Sequence, residues 1–196
     1  MIGALPVRTQ ARRVELQGAA NFRDLGGYGA GSGRTAWGAI FRSDSLSALT
    51  RSDIGVLMDL GLRSVVDLRH ESELSRAKCA LEGMLADARS YPLVFHCTHG
   101  RDRTGLAASL VLLAAGVPSD DVIADFVLSN EYLRERLAGI DAVAAKELEL
   151  QPSHLGAALN HLDERYGGVE PYIAGLGVSP GQLAAFRRQF VVRQRA

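Results

Sequence analysis

This chain of 196 residues has little lysine and cysteine, and it has no excess of charge of either sign. Lysine occurs only as Lys78 and Lys146, and 22 basic residues balance 22 acidic ones, so the formal net charge is zero. A protein dedicated to nucleic acid normally carries a basic excess, and the charge balance therefore argues against that class of partner. Arginine supplies nearly all of the positive charge, and its planar guanidinium is suited to gripping oxyanions.

The two cysteines, Cys79 and Cys97, are too few for a disulfide framework, which favours a reducing, cytoplasmic compartment. The longest nearly apolar run, residues 106–117, is too short to cross a bilayer, so no stable membrane insertion is expected. The first residues lack a sustained apolar segment, so no signal peptide is predicted. Secretion by a route that needs no cleaved signal stays open.

The first half of the chain predicts alternating strands and helices. Strands are expected over 39–43, 63–69 and 93–97, and helices over 51–60 and 71–88. Thr50 is predicted to cap the first of these helices, with Asp53 at its third position and Gly61 at its end. Strand, helix and strand at this spacing imply a parallel crossover, and the glycine-rich residues 26–34 predict a hairpin.

The second half predicts helices throughout. They are expected over 103–117 and 119–137, from a Ser153 cap to residue 166, and after Ser179 and Pro180. The fold class is therefore α/β: a small, mostly parallel sheet followed by a helical C-terminal half. With no repeat and no low-complexity linker, residues 1–196 are expected to form one domain. Leu148, Leu150 and Leu155 are predicted either to rim the site or to lie in the core.

The stretch HCTHGRDRTG places Cys97 at the end of a buried strand and directly before a buried helix. Active sites of open α/β folds collect at the carboxyl ends of strands. Five residues separate Cys97 from Arg103, enough for one loop whose N–H groups face a single concavity at the helix N-terminus. Such a loop would bind a dianion, with Arg103 gripping two of its oxygens, and would favour the thiolate that attacks it.

A phosphoryl transfer to Cys97 also needs a proton donor for the leaving oxygen. Asp102, inside the loop, is the favoured candidate. Asp67 at the end of a neighbouring strand is the competitor, and an ion pair with an arginine is the simpler role for it. Thr104 could donate its hydroxyl to the thiolate, and His96 is expected to order the loop from behind.

Other interpretations of these residues stay open at this stage. Cys97 could be a buried structural thiol, although that would leave the loop sequence unexplained. His96, Cys97 and His99 could ligate a metal, but two loop arginines disfavour a cation and no second Cys/His cluster completes the set, so neither metal nor cofactor is expected. Cys79 could be a redox partner of Cys97. Elsewhere in the chain, Arg23 and Asp24 are expected to stabilise a turn rather than to act in catalysis.

The loop resembles the signature HC-x-x-GKDRTG of the bacterial tyrosine-protein and lipid phosphatases, an atypical Cys-x5-Arg family. The resemblance extends in order through NFRDLGGY, FRSDSLSALT, LGLRSVVDLR, DVIADFVLSNEYL and YGGVEPYIAGLGVS, which covers nearly the whole chain. It implies that Cys97 is the nucleophile, that Arg103 binds phosphate and that Asp102 is the general acid. It further implies that the loop as a whole binds substrate, through Thr98, His99, Gly100, Arg101, Arg103 and Thr104.

Three departures from the family pattern bear on function. Arg101 replaces the loop lysine that is associated with phosphoinositide hydrolysis, and His99 replaces a small residue. The segment before the loop, residues 70–95, is short, so this is a shortened member in which one edge strand is expected to be missing. The resemblance implies a cysteine-dependent phosphatase for phosphotyrosine, and for phosphoserine, phosphothreonine or phosphoinositide as wider substrates. The alternatives are a pseudophosphatase that only binds phosphorylated ligands and, with a poorer match, a sulfurtransferase.

Overall fold

A computed structural model gives the fold of the chain and describes residues 11–69, 90–137, 146 and 149–193. The strands are β1 (Arg23–Asp24), β2 (Gly29–Ala30), β3 (Gly33–Thr35), β4 (Ile40–Ser43), β5 (Ser64–Asp67), β6 (Leu93–His96) and β7 (Val191–Arg193). The helices are α1 (Arg51–Asp59), α2 (Asp102–Ala115), α3 (Ser119–Leu137), α4 (Pro152–Tyr166), α5 (Val169–Gly175) and α6 (Pro180–Phe190). The α/β class, with its helical second half, is confirmed.

The central sheet has the strand order β1-β4-β6-β5, and β4, β6 and β5 run parallel to one another. Ser43, His96 and Asp67 lie side by side in the register, so the three parallel strands end at the same edge. Loops that follow these strands therefore meet there, which is where open α/β sheets place their ligands. The edge strand β1 is antiparallel to β4.

The sheet is covered on both faces. Phe41 and Val94 face one side, where they pack with Phe22 and with partly buried leucines of α1 and its flanks. Leu93 and Phe95 face the other side and join a larger cluster with α2 and the helices that follow. Burial on both faces explains why β6 begins with a continuous apolar run rather than an alternating one, whereas β4 follows two apolar residues with buried Arg42 and Ser43.

The boundaries of α1 follow the sequence closely. The Thr50 side chain accepts a hydrogen bond from the Asp53 N–H at 3.2 Å, and the Asp53 carboxylate accepts from the Thr50 N–H at 2.8 Å. This reciprocal pair is the predicted capping box. Gly61, which has a φ of +67°, follows the last turn as predicted.

The predicted hairpin is confirmed as the β2–β3 pair. Strand β7 extends it by pairing with β3, a contact across most of the chain that no local pattern predicts. Helix α5 was not predicted either. The predicted helix over 71–88 lies outside the described residues, and so do residues 70–89 of the 70–95 segment that was expected to lack a strand.

One further expectation needs correction, and one open alternative is settled. Helix α4 begins at Pro152 after the N-cap residue Gln151, not after Ser153, because proline suits the first helical position and Ser153 lies inside the first turn. Leu150 and Leu155 are core residues rather than a rim, since both are buried in the larger cluster. Leu148 lies outside the described residues.

Candidate active site

The loop around Cys97 connects the end of β6 to the start of α2. Cys97 directly follows the last residue of β6 and is 3% exposed, whereas Thr98 and His99 face solvent. Gly100 turns the chain back with a φ of +65°, a region that favours glycine. The sulfur is thus enclosed by a loop that runs directly into the N-terminus of α2.

The surroundings of Cys97 favour its thiolate. Burial by itself raises the pKa of the thiol, but hydrogen bonds from the Thr104 side chain and from the backbone N–H groups of Thr104, Gly100 and His99 outweigh it, and the pKa lies below the ordinary value. A thiolate in such a ring of donors is the reactive form of cysteine.

The Thr104 hydroxyl is one of the groups that lower the pKa of Cys97. It is fully buried and has no hydrogen-bond partner of ordinary geometry among the described residues. A buried hydroxyl without a partner is costly, and the Cys97 thiolate is the acceptor that would satisfy it. Donation of this hydroxyl to the thiolate stays a prediction.

His96 lies behind the loop, as expected. Its Nδ1 is 3.3 Å from the Cys97 backbone oxygen, and its Nε2 is 3.9 Å from an Asp67 carboxylate oxygen. The imidazole is buried, so these two contacts fix its orientation against the base of the loop.

Asp67 forms the expected ion pair with an arginine, which is Arg69. Arg69 donates to the Asp67 carboxylate from Nε at 2.9 Å and from Nη2 at 2.7 Å. Hydrogen bonding from the Arg69 side chain is the main reason that the pKa of Asp67 falls to about 2. A carboxylate held ionised in this way is a poor proton donor, which weighs against Asp67 as the general acid.

The three charged residues that follow Gly100 lie at the mouth of the loop. Asp102 is the first residue of α2, and its side chain is 65% exposed and 3.3 Å from Arg101 Nε. Arg103 reaches across to the residue that follows β5, where its Nη1 donates to the Leu68 carbonyl at 3.1 Å. The Asp102 carboxylate is thus exposed to solvent, and the Arg103 guanidinium contacts the segment after β5.

Asn21 and Arg42 are site residues that the sequence reasoning missed. Asn21 Nδ2 donates to the backbone oxygens of His99 at 3.3 Å and Gly100 at 3.0 Å, and Arg42 Nη2 donates to the Gly100 oxygen at 2.8 Å. A usable signal was present: Arg42 is a charged residue inside a strand that is otherwise buried on both faces.

Arg42 is held by a buried ion cluster. Asp125 of α3 accepts from Arg42 Nη1 at 2.5 Å, from Arg23 Nε at 3.1 Å and from the Tyr28 hydroxyl at 2.9 Å. Burial opposes ionisation of Asp125, but the two arginines prevail and hold its pKa well below the usual range. Arg23 therefore has a structural role in the core.

Asp24 stabilises a turn, as predicted. Its carboxylate accepts from the Gly26 N–H at 2.7 Å and the Gly38 N–H at 2.6 Å. Burial raises its pKa to about 6, although both of these hydrogen bonds oppose the rise.

Several alternative interpretations can be compared with the structure. Within the described ranges, no group of three or more His, Cys, Asp or Glu residues could hold a metal ion. No described helix has the length and apolar character needed to cross a membrane. Cys79, the suggested redox partner of Cys97, lies outside the part of the chain that the structure describes.

Comparison with known proteins identifies the family to which the chain is similar. The profile of the tyrosine phosphatase family matches residues 14–85 and 76–192. A protein of Cupriavidus necator, assigned by name to the tyrosine-protein phosphatases, is 31% identical over 84% of this chain and 84% of its own length.

Two further relatives match over shorter spans. A tyrosine-protein phosphatase of Nostoc commune is 33% identical over 46% of this chain and 36% of its own length. The triple specificity protein phosphatase PtpB of Mycobacterium tuberculosis is 31% identical over 51% of this chain and 44% of its own length. With a family profile that spans nearly all of the chain and a relative that matches most of it, this protein belongs to the tyrosine phosphatase family.

Proposed function

We propose that the chain hydrolyses phosphate monoesters, phosphotyrosine first among them, through a covalent intermediate on Cys97. One observation carries the proposal: a buried thiol whose pKa is lowered by the Thr104 hydroxyl and by three backbone N–H groups around it. The same donors that stabilise a thiolate can stabilise the oxygens of a phosphoryl group, since both are concentrated negative charges.

In the first step, the thiolate sulfur attacks phosphorus and the bond from phosphorus to the ester oxygen breaks. Asp102 gives its proton to the leaving oxygen, and Arg103 compensates the charge that builds on the equatorial oxygens. The exposed position of Asp102 at the start of α2 supports this role, because a leaving group departs toward solvent. The products of the step are a phosphocysteine and the free alcohol.

In the second step, water attacks phosphorus while Asp102, now ionised, takes a proton from it. The bond from sulfur to phosphorus breaks, inorganic phosphate forms and the thiolate returns. The Thr104 hydroxyl, one of the groups that lower the pKa of Cys97, is proposed to ease this departure by donating to the leaving thiolate. No step calls for a metal ion.

The substrate range is proposed to extend beyond phosphotyrosine. One relative is named a triple specificity protein phosphatase, which supports phosphoserine and phosphothreonine as further substrates. Arg101 keeps the positive charge of the loop position at which the family signature has lysine, and phosphoinositide is the substrate class that this replacement affects most. We also propose that the chain acts as one domain.

The proposal is tested with p-nitrophenyl phosphate in the presence of EDTA. The unchanged protein should turn over this ester, and Cys97→Ser should lose turnover while still binding phosphate or tungstate in calorimetry. Binding of tungstate by the unchanged protein without any turnover would support a pseudophosphatase instead. Phosphotyrosine peptide, phosphoserine peptide and phosphoinositide vesicles, assayed in parallel for released phosphate, then rank the substrate classes.

A further inference from the structure

Three successive carbonyl groups of the loop are each held from outside it. The Thr98 oxygen accepts from the Ser45 N–H at 3.1 Å. The His99 oxygen accepts from Asn21 at 3.3 Å, and the Gly100 oxygen accepts from Asn21 at 3.0 Å and from Arg42 at 2.8 Å. The donors come from the β4 strand, the segment that follows it and the segment that precedes β1.

A trans peptide unit is planar, and its C=O and N–H groups point in opposite directions. Fixing the Thr98 and His99 carbonyls outward therefore turns the next N–H groups, those of His99 and Gly100, toward the inside of the loop. These are two of the N–H groups that lower the pKa of Cys97. By the same geometry, the outward Gly100 carbonyl turns the Arg101 N–H inward, toward the oxygens of a bound phosphate.

We propose that Asn21 and Arg42 are positioning residues, which hold the loop carbonyls outward so that the loop N–H groups converge on Cys97 and on the phosphoryl group. The proposal rests on the function proposed above. It also assigns a role to two sequence motifs of the chain. Asn21 opens the stretch NFRD and Arg42 lies in FRSD. Both motifs are distant from the cysteine in sequence, and both bind the backbone of its loop.

The burial of Arg42 beside a second arginine has an energetic cost. Burial is the main cause that lowers the pKa of Arg42 to about 10, and the like charge of Arg23 adds to the effect. Two buried arginines share one carboxylate, Asp125. Well-packed apolar residues often replace buried ion pairs at no loss of stability, so stability alone does not account for this cluster.

The test removes the donors while keeping the shape of the core. Asn21→Asp keeps the acceptor for Arg23 Nη1 but replaces the amide that donates to the two carbonyls. Arg42→Lys keeps a positive charge near Asp125 but cannot reach both that carboxylate and the Gly100 oxygen. Ser129→Ala is the matched control, because the Ser129 hydroxyl contacts the same two arginines and no loop carbonyl.

The readout is the pKa of Cys97, measured as the rate of iodoacetamide alkylation against pH and followed on the peptide that contains Cys97. Asn21→Asp releases the His99 carbonyl and with it the Gly100 N–H, so it should raise this pKa by about one unit, which lowers the alkylation rate about tenfold below the pKa. Arg42→Lys releases only the Gly100 carbonyl, which orients the Arg101 N–H, so its effect is expected on tungstate binding. Ser129→Ala should lower the urea midpoint but leave the alkylation profile unchanged. The two donor variants should also bind tungstate more weakly.

The proposal is overturned if Asn21→Asp alkylates with the profile of the unchanged protein, or if Arg42→Lys binds tungstate as tightly as the unchanged protein does. It is equally overturned if the profile shifts in all three variants in proportion to lost stability, or if neither donor variant folds at 25 °C while Ser129→Ala does. If only one donor variant folds, the measurement on that variant alone supports or overturns the proposal. Alkylation and tungstate binding need no turnover, so they remain informative even if the unchanged protein proves inactive and the proposed function fails.

Discussion

At the scale of single residues, Gly100 limits what the loop can tolerate. A Cβ atom at this position would lie 2.5 Å from both the Asp44 nitrogen and the Ser43 oxygen, and its φ of +65° disfavours any side chain. We expect Gly100→Ala to cost more than the roughly 1–2 kcal/mol of a left-handed alanine, because the backbone must also shift.

Gly116 supplies the matched control for that substitution. It ends α2 with a φ of +89°, but a Cβ there meets no atom within 4 Å. Urea denaturation should therefore show a larger loss for Gly100→Ala than for Gly116→Ala, and turnover should fall only in the former. Equal losses of stability with full activity in both variants would contradict the tight contact behind the loop.

Asp102 is the residue on which proton transfer is proposed to depend. Asp102→Asn should lower kcat/KM by roughly a hundredfold or more for alkyl phosphates, whose leaving oxygens need a proton in the first step. The loss of kcat/KM should be much smaller for p-nitrophenyl phosphate, whose leaving group departs unprotonated, whereas kcat should fall for both esters because the second step lacks its base. Asp67→Asn is the control: equal losses of kcat/KM on both esters for Asp102→Asn, with a selective loss for Asp67→Asn, would reverse the assignment.

At this scale, the sequence indicated Cys97, Asp102 and Arg103 because the three stand together in one short loop. It did not indicate Asn21 or Arg42, which lie 79 and 58 positions from Gly100 and bind its backbone carbonyl. Contacts of side chains with distant backbone leave little trace in local spacing. A buried charge in an apolar strand is the trace that Arg42 does leave.

At the scale of elements, α1 depends on a carboxylate that does more than cap it. Asp53 also accepts from the N–H groups of Gln17 at 2.8 Å and Gly18 at 2.9 Å. The Thr50 N–H is the largest cause that lowers the pKa of Asp53 to about 2; burial opposes it, and the other two N–H groups assist.

This folded pKa is below the unfolded value of about 3.9, so the ionised form stabilises the protein at higher pH. The contribution is complete above pH about 4 and is lost as the pH falls toward about 2. Asp53→Asn should lower the thermal midpoint at neutral pH and flatten its dependence on pH in this window. Thr50→Ala breaks the other half of the box, costs about 1 kcal/mol and should keep the pH dependence. If the thermal midpoint of Asp53→Asn fell as steeply between pH about 4 and about 2 as that of the unchanged protein, this carboxylate would not be the source of the pH dependence.

Elements were predictable where their signals are local. The capping box, the glycine that ends α2 and the Ser179 cap of α6 all follow from a few adjacent residues. Strand β7 and the start of α4 were missed for different reasons. The first exists through pairing with β3 across the chain, and at the second the preference of Pro152 for the first turn prevails over the capping preference of Ser153.

At the scale of the whole molecule, Asp125 links α3 to β1 and β4 through the two buried arginines. Asp125→Asn leaves both cations without a charged partner, and we expect it to lower the free energy of unfolding by about 3–5 kcal/mol. Glu170→Gln is the control, because the Glu170–Arg187 pair is exposed and worth at most about 1 kcal/mol. Similar urea midpoints for the two variants would contradict the structural weight given to the cluster.

The architecture as a whole was predictable because buried parallel strands and a long apolar helix have strong local patterns. The ion cluster was not predictable, since Arg23 and Asp125 are 102 positions apart and the residues around each of them do not indicate the other. Long-range polar contacts of this kind are set by the fold as a whole. They connect the β1 and β4 motifs, through Arg42, to the loop that surrounds Cys97.

The central claim is that the phosphoryl group passes through the sulfur of Cys97. The most direct test mixes the protein rapidly with p-nitrophenyl phosphate, quenches it in acid and examines the Cys97 peptide by mass spectrometry. The account predicts a peptide heavier by one phosphoryl group, formed as fast as the first burst of p-nitrophenolate and accumulating further in Asp102→Asn, where attack by water lacks its base. Full turnover with this peptide never modified, or with the phosphoryl group on another residue, would contradict the account.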